Sequence, residues 1–237
     1  MIRLDKYMAM CGLGTRSEVK RYIRQGLVCV NDVQVRCDDV KIDEEKDRVL
    51  FESQPLNFKK NVYVVINKPK NCICTTDEEE DGTIITDYLD EFMRARKLFP
   101  VGRLDADSEG LLILTDDGDF CHNVITPKKH IPKTYYVEFV GMLSDKEIQK
   151  LMKGVKIGDY TTLPSKVRRL GEQKLEITIH EGKYHQIKLM LEAIGNRVTY
   201  LKRIKIGNFG LPEMLMPGEY RELSSDELQQ ILCKENI

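Results

Sequence analysis

Arg103, Asp105, Asp107 and Glu109 crowd one short loop, Phe99-Pro-Val-Gly-Arg-Leu-Asp-Ala-Asp-Ser-Glu-Gly110. Gly102 and Gly110 punctuate it, and glycine admits backbone paths that other residues resist. A carboxylate held beside a guanidinium stays ionised, because the cation stabilises the charged form. That is the state a nucleophile or general base requires, and Asp105 is the candidate. Surface turns use the same residue types, so the loop gains meaning only from three other clusters. A basic run from Lys128 leads through Lys133-Thr-Tyr135 into a strand. Tyr135, at its start, reads as a core residue, an edge residue or an aromatic face. Glu181-Gly-Lys-Tyr-His-Gln-Ile-Lys188 joins a strand to a helix and sets His185 and Lys188 near the helix's first turn. The chain has four histidines, and none stands at metal-ligand spacing from His185, so no metal is expected there. Leu201-Lys-Arg-Ile-Lys-Ile-Gly207 alternates cation and aliphatic, which predicts a strand with one basic face, carrying Arg203, and one buried face.

These clusters need elements to hold them. Val62–Ile66, Leu111–Leu114, Thr134–Val140, Leu175–Ile179 and Thr199–Ile206 read as strands, and 84–98 has helical content. Ser144-Asp-Lys-Glu147 is a capping box opening a helix to Lys153, Tyr184–Ile194 is a helix stopped by Gly195-Asn196, and Ser224-Ser-Asp-Glu227 begins the last one. Strands and helices do not alternate strictly, which predicts an α+β fold with a mixed, mainly antiparallel sheet and flanking helices. The first 58 residues form a small unit of their own. Leu4, Tyr7, Met8 and Cys11 have helical spacing before Gly12 and Gly14; Thr15 and Glu18 make a capping box for a second helix that ends at Gly26. Leu27–Val30, an Asn31-Asp32 turn, Val33–Val35 and Val49–Phe51 then supply a small sheet. The polar stretch Pro55–Lys60 is the expected linker, dividing 1–58 from 59–237.

Hydrophobic residues make up 41% of the 237 and charged residues 32%, enough for packed cores. Net charge is −1, but residues 1–24 hold six basic against two acidic side chains, while 38–47 and Asp77–Asp81 are acidic blocks. Arg16, Lys20 and Arg24 recur every four residues and line one helix face, where a local positive field outweighs the neutral total. The seven cysteines are scattered without a Cys-x-x-Cys pair and read as free thiols of a reducing cytoplasm. No secretory leader and no bilayer-length apolar run is visible, so no membrane association is expected.

The N-terminal unit resembles the RNA-binding module named after ribosomal protein S-four, on Arg3-Leu-Asp-Lys6, Thr15-Arg-Ser-Glu18, Ile23-Arg-Gln-Gly26 and Val28-Cys-Val-Asn31. That resemblance implies that Arg3, Lys6, Arg16, Lys20 and Arg24 meet RNA phosphates. The rest resembles the pseudouridine synthases, in particular the branch that modifies ribosomal RNA like the bacterial small-subunit enzyme. Gly102-Arg-Leu-Asp105 with Ser108 and Gly110-Leu111 matches the catalytic motif, Lys133-Thr-Tyr135 the second and Glu181–Lys188 the third. Leu201–Gly207 and Pro217-Gly-Glu-Tyr-Arg221 match the C-terminal part. Lys183, where arginine is usual, and Leu189, where a basic residue often stands, depart from the pattern.

The resemblance implies Asp105, Tyr135 and Lys188 as catalytic residues, with Lys188 the cation on Asp105. It also implies Arg103, Ile187, His185, Lys133 and Arg203 around the substrate, with Ile187 an apolar wall. The reaction breaks the glycosidic bond of a uridine, turns the base and rejoins it through carbon 5, and so needs neither metal nor cofactor. The carboxylate either attacks the anomeric carbon or takes a sugar proton, on a uridine first flipped out of its stack. The expected partner is ribosomal RNA, 16S above all, free or in an assembly intermediate, bound by a monomer. A non-catalytic assembly factor, a synthase of large-subunit RNA and a glycosidase-like hydrolase using Asp105 and Asp107 are the rival readings.

Overall fold

In a computed structural model of the chain, the described residues are 1–56, 58–77, 80–126, 129 and 131–233. The candidate positions Lys128 and His130, and Glu78 and Glu79 of the second acidic block, lie outside them. The chain divides into two compact units, Met1–Val62 with Leu89–Lys97, and Tyr63–Tyr88 with Leu98–Ile237.

In the first unit, helices Leu4–Met10 and Arg16–Gln25 pack on a four-stranded sheet of Val33–Val35, Val28–Val30, Val49–Phe51 and Gln54–Pro55. The capping box forms as its residues dictate: Thr15 accepts from the Glu18 amide, and the Glu18 carboxylate reaches back. Asn31 and Asp32 both take positive φ, the two-residue turn that matches strand twist. Leu4, Met8, Val19, Ile23 and Val28 make the core. Helix Glu91–Ala95, although later in sequence, belongs to this unit, where Arg96 donates to the carbonyls of Met10 and Lys60.

The second unit is built on a nine-stranded sheet. Its path runs Lys166–Gly171, Lys174–Ile179, Lys133–Val140, Arg197–Ile206, Glu109–Thr115, Tyr63–Lys68 and Tyr220–Glu222, with Phe99–Pro100 and Phe209–Gly210 paired at its side. Among the described residues of this sheet, only Arg197–Ile206 against Glu109–Thr115 is parallel; the other pairs are antiparallel. Leu111, Leu112, Ile113 and Leu114 are all fully buried. Such a continuous apolar run belongs to a strand covered on both faces. Leu111 and Ile113 face a core with Val65, Val124, Ile206 and Ile231. Gly110 is required where it stands: its φ is +103°, and a Cβ there would collide with the Arg203 backbone it pairs with.

Several elements differ from expectation. The helix after the third motif is Gln186–Glu192, shorter at both ends than the apolar periodicity suggests. A helix at Gly118–Ile125, capped by Asp117 onto the Phe120 amide, was not expected. It lacks the Glu or Gln that completes a capping box, so its start carries only half the usual signal. Lys166–Gly171 was also missed; as an edge strand it is largely exposed and its charged residues read as loop. Arg197–Ile206 does not divide into a basic and a buried face. Arg203 is as deeply buried as Leu201 and Ile206, its guanidinium spent on the Leu111 carbonyl of the neighbouring strand.

Candidate active site

The polar loop is the connection of a hairpin. Phe99–Pro100 and Glu109–Thr115 pair antiparallel, and 101–108 projects from their ends. Within it the Ser108 amide donates to the Asp105 carbonyl at 3.0 Å, closing a turn on Asp105. Helix Gln186–Glu192 approaches from a chain segment some 80 residues later. The Lys188 ammonium sits 2.8 Å from Asp105 Oδ2 and 2.7 Å from Asp107 Oδ1. The cation on Asp105 is therefore Lys188. Arg103, the sequence neighbour, is instead exposed on the cleft wall. Burial favours a neutral Lys188, but its hydrogen bonds to Asp105 and Asp107 prevail and raise its pKa above the ordinary lysine value. Burial pushes Asp107 up, and the Lys188 hydrogen bond and charge outweigh it, leaving Asp107 below the usual carboxylate range.

Asp105, Arg103, Tyr135, His185 and Ile187 line one cavity of about 80 Å³, walled also by Leu104, Ile179 and Leu201. His185 Nε2 lies 3.5 Å from Asp105 Oδ1. The cavity walls mix apolar Leu104, Ile179, Ile187 and Leu201 with polar Ser108, Lys183 and Gln186. The cavity shares Arg103, Asp105 and His185 with a larger cleft of about 900 Å³. Lys133 and Arg203 line neither. Burial, helped by the Arg203 charge, pushes Lys133 down to about 8, and its ammonium donates to the carbonyls of Val124 and Ile131. Arg203 donates from Nε to the Leu111 carbonyl at 2.7 Å. Both cations therefore brace the backbone behind Tyr135 rather than face the cavity.

Two supporting residues were not singled out by sequence reasoning. Lys68, at the end of its strand, is completely buried. Its ammonium donates to the carbonyls of Ser108 at 2.7 Å, Pro69 at 3.0 Å and Ala106 at 3.2 Å, two of them in the Asp105 loop. Glu181, also buried, does the same for the other half of the site. It accepts from the Leu163 amide at 2.8 Å, from Gln186 Nε2 at 2.7 Å and from the Tyr160 hydroxyl. Gln186 in turn takes the Lys183 amide at 2.9 Å. This network holds His185 in a left-handed conformation at φ +47°, costly for a non-glycine residue and sustained by its surroundings. Glu181→Gln replaces an acceptor oxygen with a donor facing donors. It is expected to cost about 1–3 kcal/mol, lowering Tm by roughly 2–12 °C for a chain of this size. An unchanged thermal melt would show that the carboxylate is dispensable.

In the first unit, the basic residues form a constellation around a buried carboxylate. Arg3 and Arg16 each lie 3.1 Å from Asp5, Lys20 lies 3.8 Å away, and Arg24 is 2.7 Å from Asp38. Burial pushes Asp5 up, but hydrogen bonds from Arg3 and Arg16 outweigh it and hold the acid below its ordinary value. Lys6 is exposed. All seven cysteines are free. Among the described residues no helix is long and apolar enough to cross a membrane.

Comparison with known proteins agrees with this geometry. Residues 62–193 match the family model described as RNA pseudouridylate synthase, and residues 2–52 match the S4 domain. The chain is 39% identical to an uncharacterized RNA pseudouridine synthase of Bacillus subtilis, over 96% of this chain and 97% of that one. It is 37% identical to ribosomal small subunit pseudouridine synthase A of Haemophilus influenzae, over 98% and 100%. A solved structure titled as a pseudouridylate synthase superimposes with a TM-score of 0.69 at 37% identity, covering 98% of this chain and all of the other. An S4 domain followed by a cavity lined by an aspartate that a lysine pairs, in a chain alike these enzymes over nearly its whole length, places it in the RNA pseudouridylate synthase family, whose members isomerise uridine to pseudouridine.

Proposed function

We propose that this chain converts a uridine of small-subunit, 16S-type ribosomal RNA to pseudouridine, with Asp105 as the catalytic carboxylate acting on a flipped-out nucleotide. The observation that carries the reading is Asp105, paired with Lys188 at 2.8 Å, lining one cavity with Tyr135. The reaction breaks the N1–C1′ bond and forms C5–C1′; the proton lost from carbon 5 is balanced by one gained at N1. Attack on the anomeric carbon and removal of a sugar proton both need an ionised carboxylate, and the Lys188 ammonium, 2.8 Å from Asp105, is placed to pair with it. Tyr135, mostly buried with its ring at the cavity, can hold the extruded base by stacking. Ile187 closes an apolar wall. Arg103, exposed at the mouth, and His185, on Asp105, contact the nucleotide or its phosphates. The cations around Asp5 dock the RNA backbone without reading sequence.

The small-subunit assignment rests on relatives of that name, 37% and 36% identical over 98% of this chain, from Haemophilus influenzae and Escherichia coli. Chemical labelling and reverse-transcription mapping of both ribosomal RNAs after incubation with the protein tests it. One new stop in small-subunit RNA is expected. A stop in large-subunit RNA alone would refute the substrate, and intact binding with no stop in either would favour an assembly factor.

A further inference from the structure

Tyr184 stands out on the catalytic surface. It is 77% exposed, so it contributes little to any core. Yet it is held: its ring lies face to face on His185, centroids 3.8 Å apart and planes 17° from parallel. His185 is itself fixed at one end by its left-handed backbone and contacts Asp105. One face of the tyrosine is thus occupied by the imidazole and the other is open to solvent. Around it, the large cleft carries Arg103, Lys183 and His122 beside Gly102 and Gly182. Lys183 is in turn steadied over the Tyr160 ring at 4.7 Å.

An exposed ring with one free π-face, in a cleft edged by cations and beside the reacting carboxylate, has the makings of a single-stranded nucleic-acid platform. There, aromatic faces take bases and cations take phosphates. We infer that Tyr184, backed by His185, is a stacking site for an unpaired nucleobase adjacent to the target uridine. This rests on the proposed reaction at Asp105 and extends it by one nucleotide. The physical role follows from the cost of extrusion. Flipping a uridine breaks its stacking on both neighbours, and a neighbour caught on Tyr184 regains a stack outside the helix. The site is distinct from the cavity, whose lining includes Tyr135 but not Tyr184.

The test uses the full chain and two short single-stranded RNAs with 2-aminopurine on the 5′ or the 3′ side of a central uridine. Stacking on an aromatic ring quenches this fluorophore, and the measurement does not require turnover. Quenching of at least one RNA is expected with wild type and with Asp105→Asn, and its loss with Tyr184→Leu. Tyr184→Phe, which keeps the ring, should restore it. In parallel, Tyr184→Leu should raise KM for small-subunit RNA about 5- to 150-fold, the factor a base–aromatic stack is worth, with a smaller change in kcat. Equal quenching and equal KM in wild type and Tyr184→Leu would overturn the stacking site, as would absence of quenching in wild type. Tyr184-dependent quenching without pseudouridine in any RNA would uphold it and overturn the reaction assigned to Asp105.

Discussion

Asp105→Asn is expected to lower the single-turnover rate of pseudouridine formation by at least about 10³-fold, while RNA affinity and the thermal melt stay close to wild type. The amide keeps the shape of the side chain and removes only its charge and basicity. Loss of a carboxylate often strands a buried cation, and that penalty can masquerade as a catalytic effect. Here Lys188 retains Asp107 at 2.7 Å, so its ammonium is not left alone. The same contact makes Asp107→Asn the control. Asp107 is 58% exposed at its side chain, so its removal should cost less than about tenfold. Equal losses in the two variants would mean that the pair acts as a unit. The arrangement also weighs against a hydrolase. Two carboxylates that share one ammonium do not flank a glycosidic bond from opposite sides, as that chemistry demands. Rates read by quench and pseudouridine mapping decide both points.

The parts of this protein legible in its sequence are those set by local chemistry. Thr15 with Glu18 and Ser144 with Glu147 form the capping boxes their spacing announces, and Ser224 with Glu227 adds a third. The Asn31-Asp32 turn and the buried run Leu111–Leu114 follow for the same reason. What depends on distant partners was not legible from the residues themselves. Arg103 is the cation nearest Asp105 in sequence, but Lys188, brought in by a helix, is nearest in space; only the family resemblance pointed to it. Lys133 and Arg203 look like basic surface in a row of lysines and arginines. Both are buried on backbone carbonyls, Val124 and Ile131 for Lys133 and Leu111 for Arg203, partners that the run of residue types does not announce. Lys68 is the strongest case. A lysine at the end of a β-branched strand reads as the point where the chain meets water, yet its fully buried ammonium serves three carbonyls.

At Lys68, opposing effects compete. Lys68→Met removes three charge-assisted hydrogen bonds but also removes the cost of burying an ammonium. That cost is substantial, since burial pulls the lysine below its ordinary pKa despite nearby Cys74 and Cys72 and the acids of the loop. Of the three orphaned carbonyls, those of Pro69 and Ala106 lie on residues that solvent reaches, and only Ser108 is deeply buried. The net loss of stability should thus be modest, about 1–3 kcal/mol. Activity should fall much further, by about 100-fold, because the loop presenting Asp105 is no longer tied down and displacements near 1 Å carry that penalty. The pH dependence separates the charge from the packing. A lysine whose folded pKa is depressed holds fewer protons folded than unfolded, in the window from that lowered value up to the ordinary one near 10.5. Wild-type stability from this group therefore rises with pH through that window and is lost as pH falls below it. The methionine variant lacks this rise, so the stability gap between the two should widen in favour of wild type as pH climbs. Denaturant melts of both proteins from neutral to alkaline pH would show it. A gap independent of pH would mean that Lys68 titrates alike in the folded and unfolded chain and that its burial carries no charge penalty.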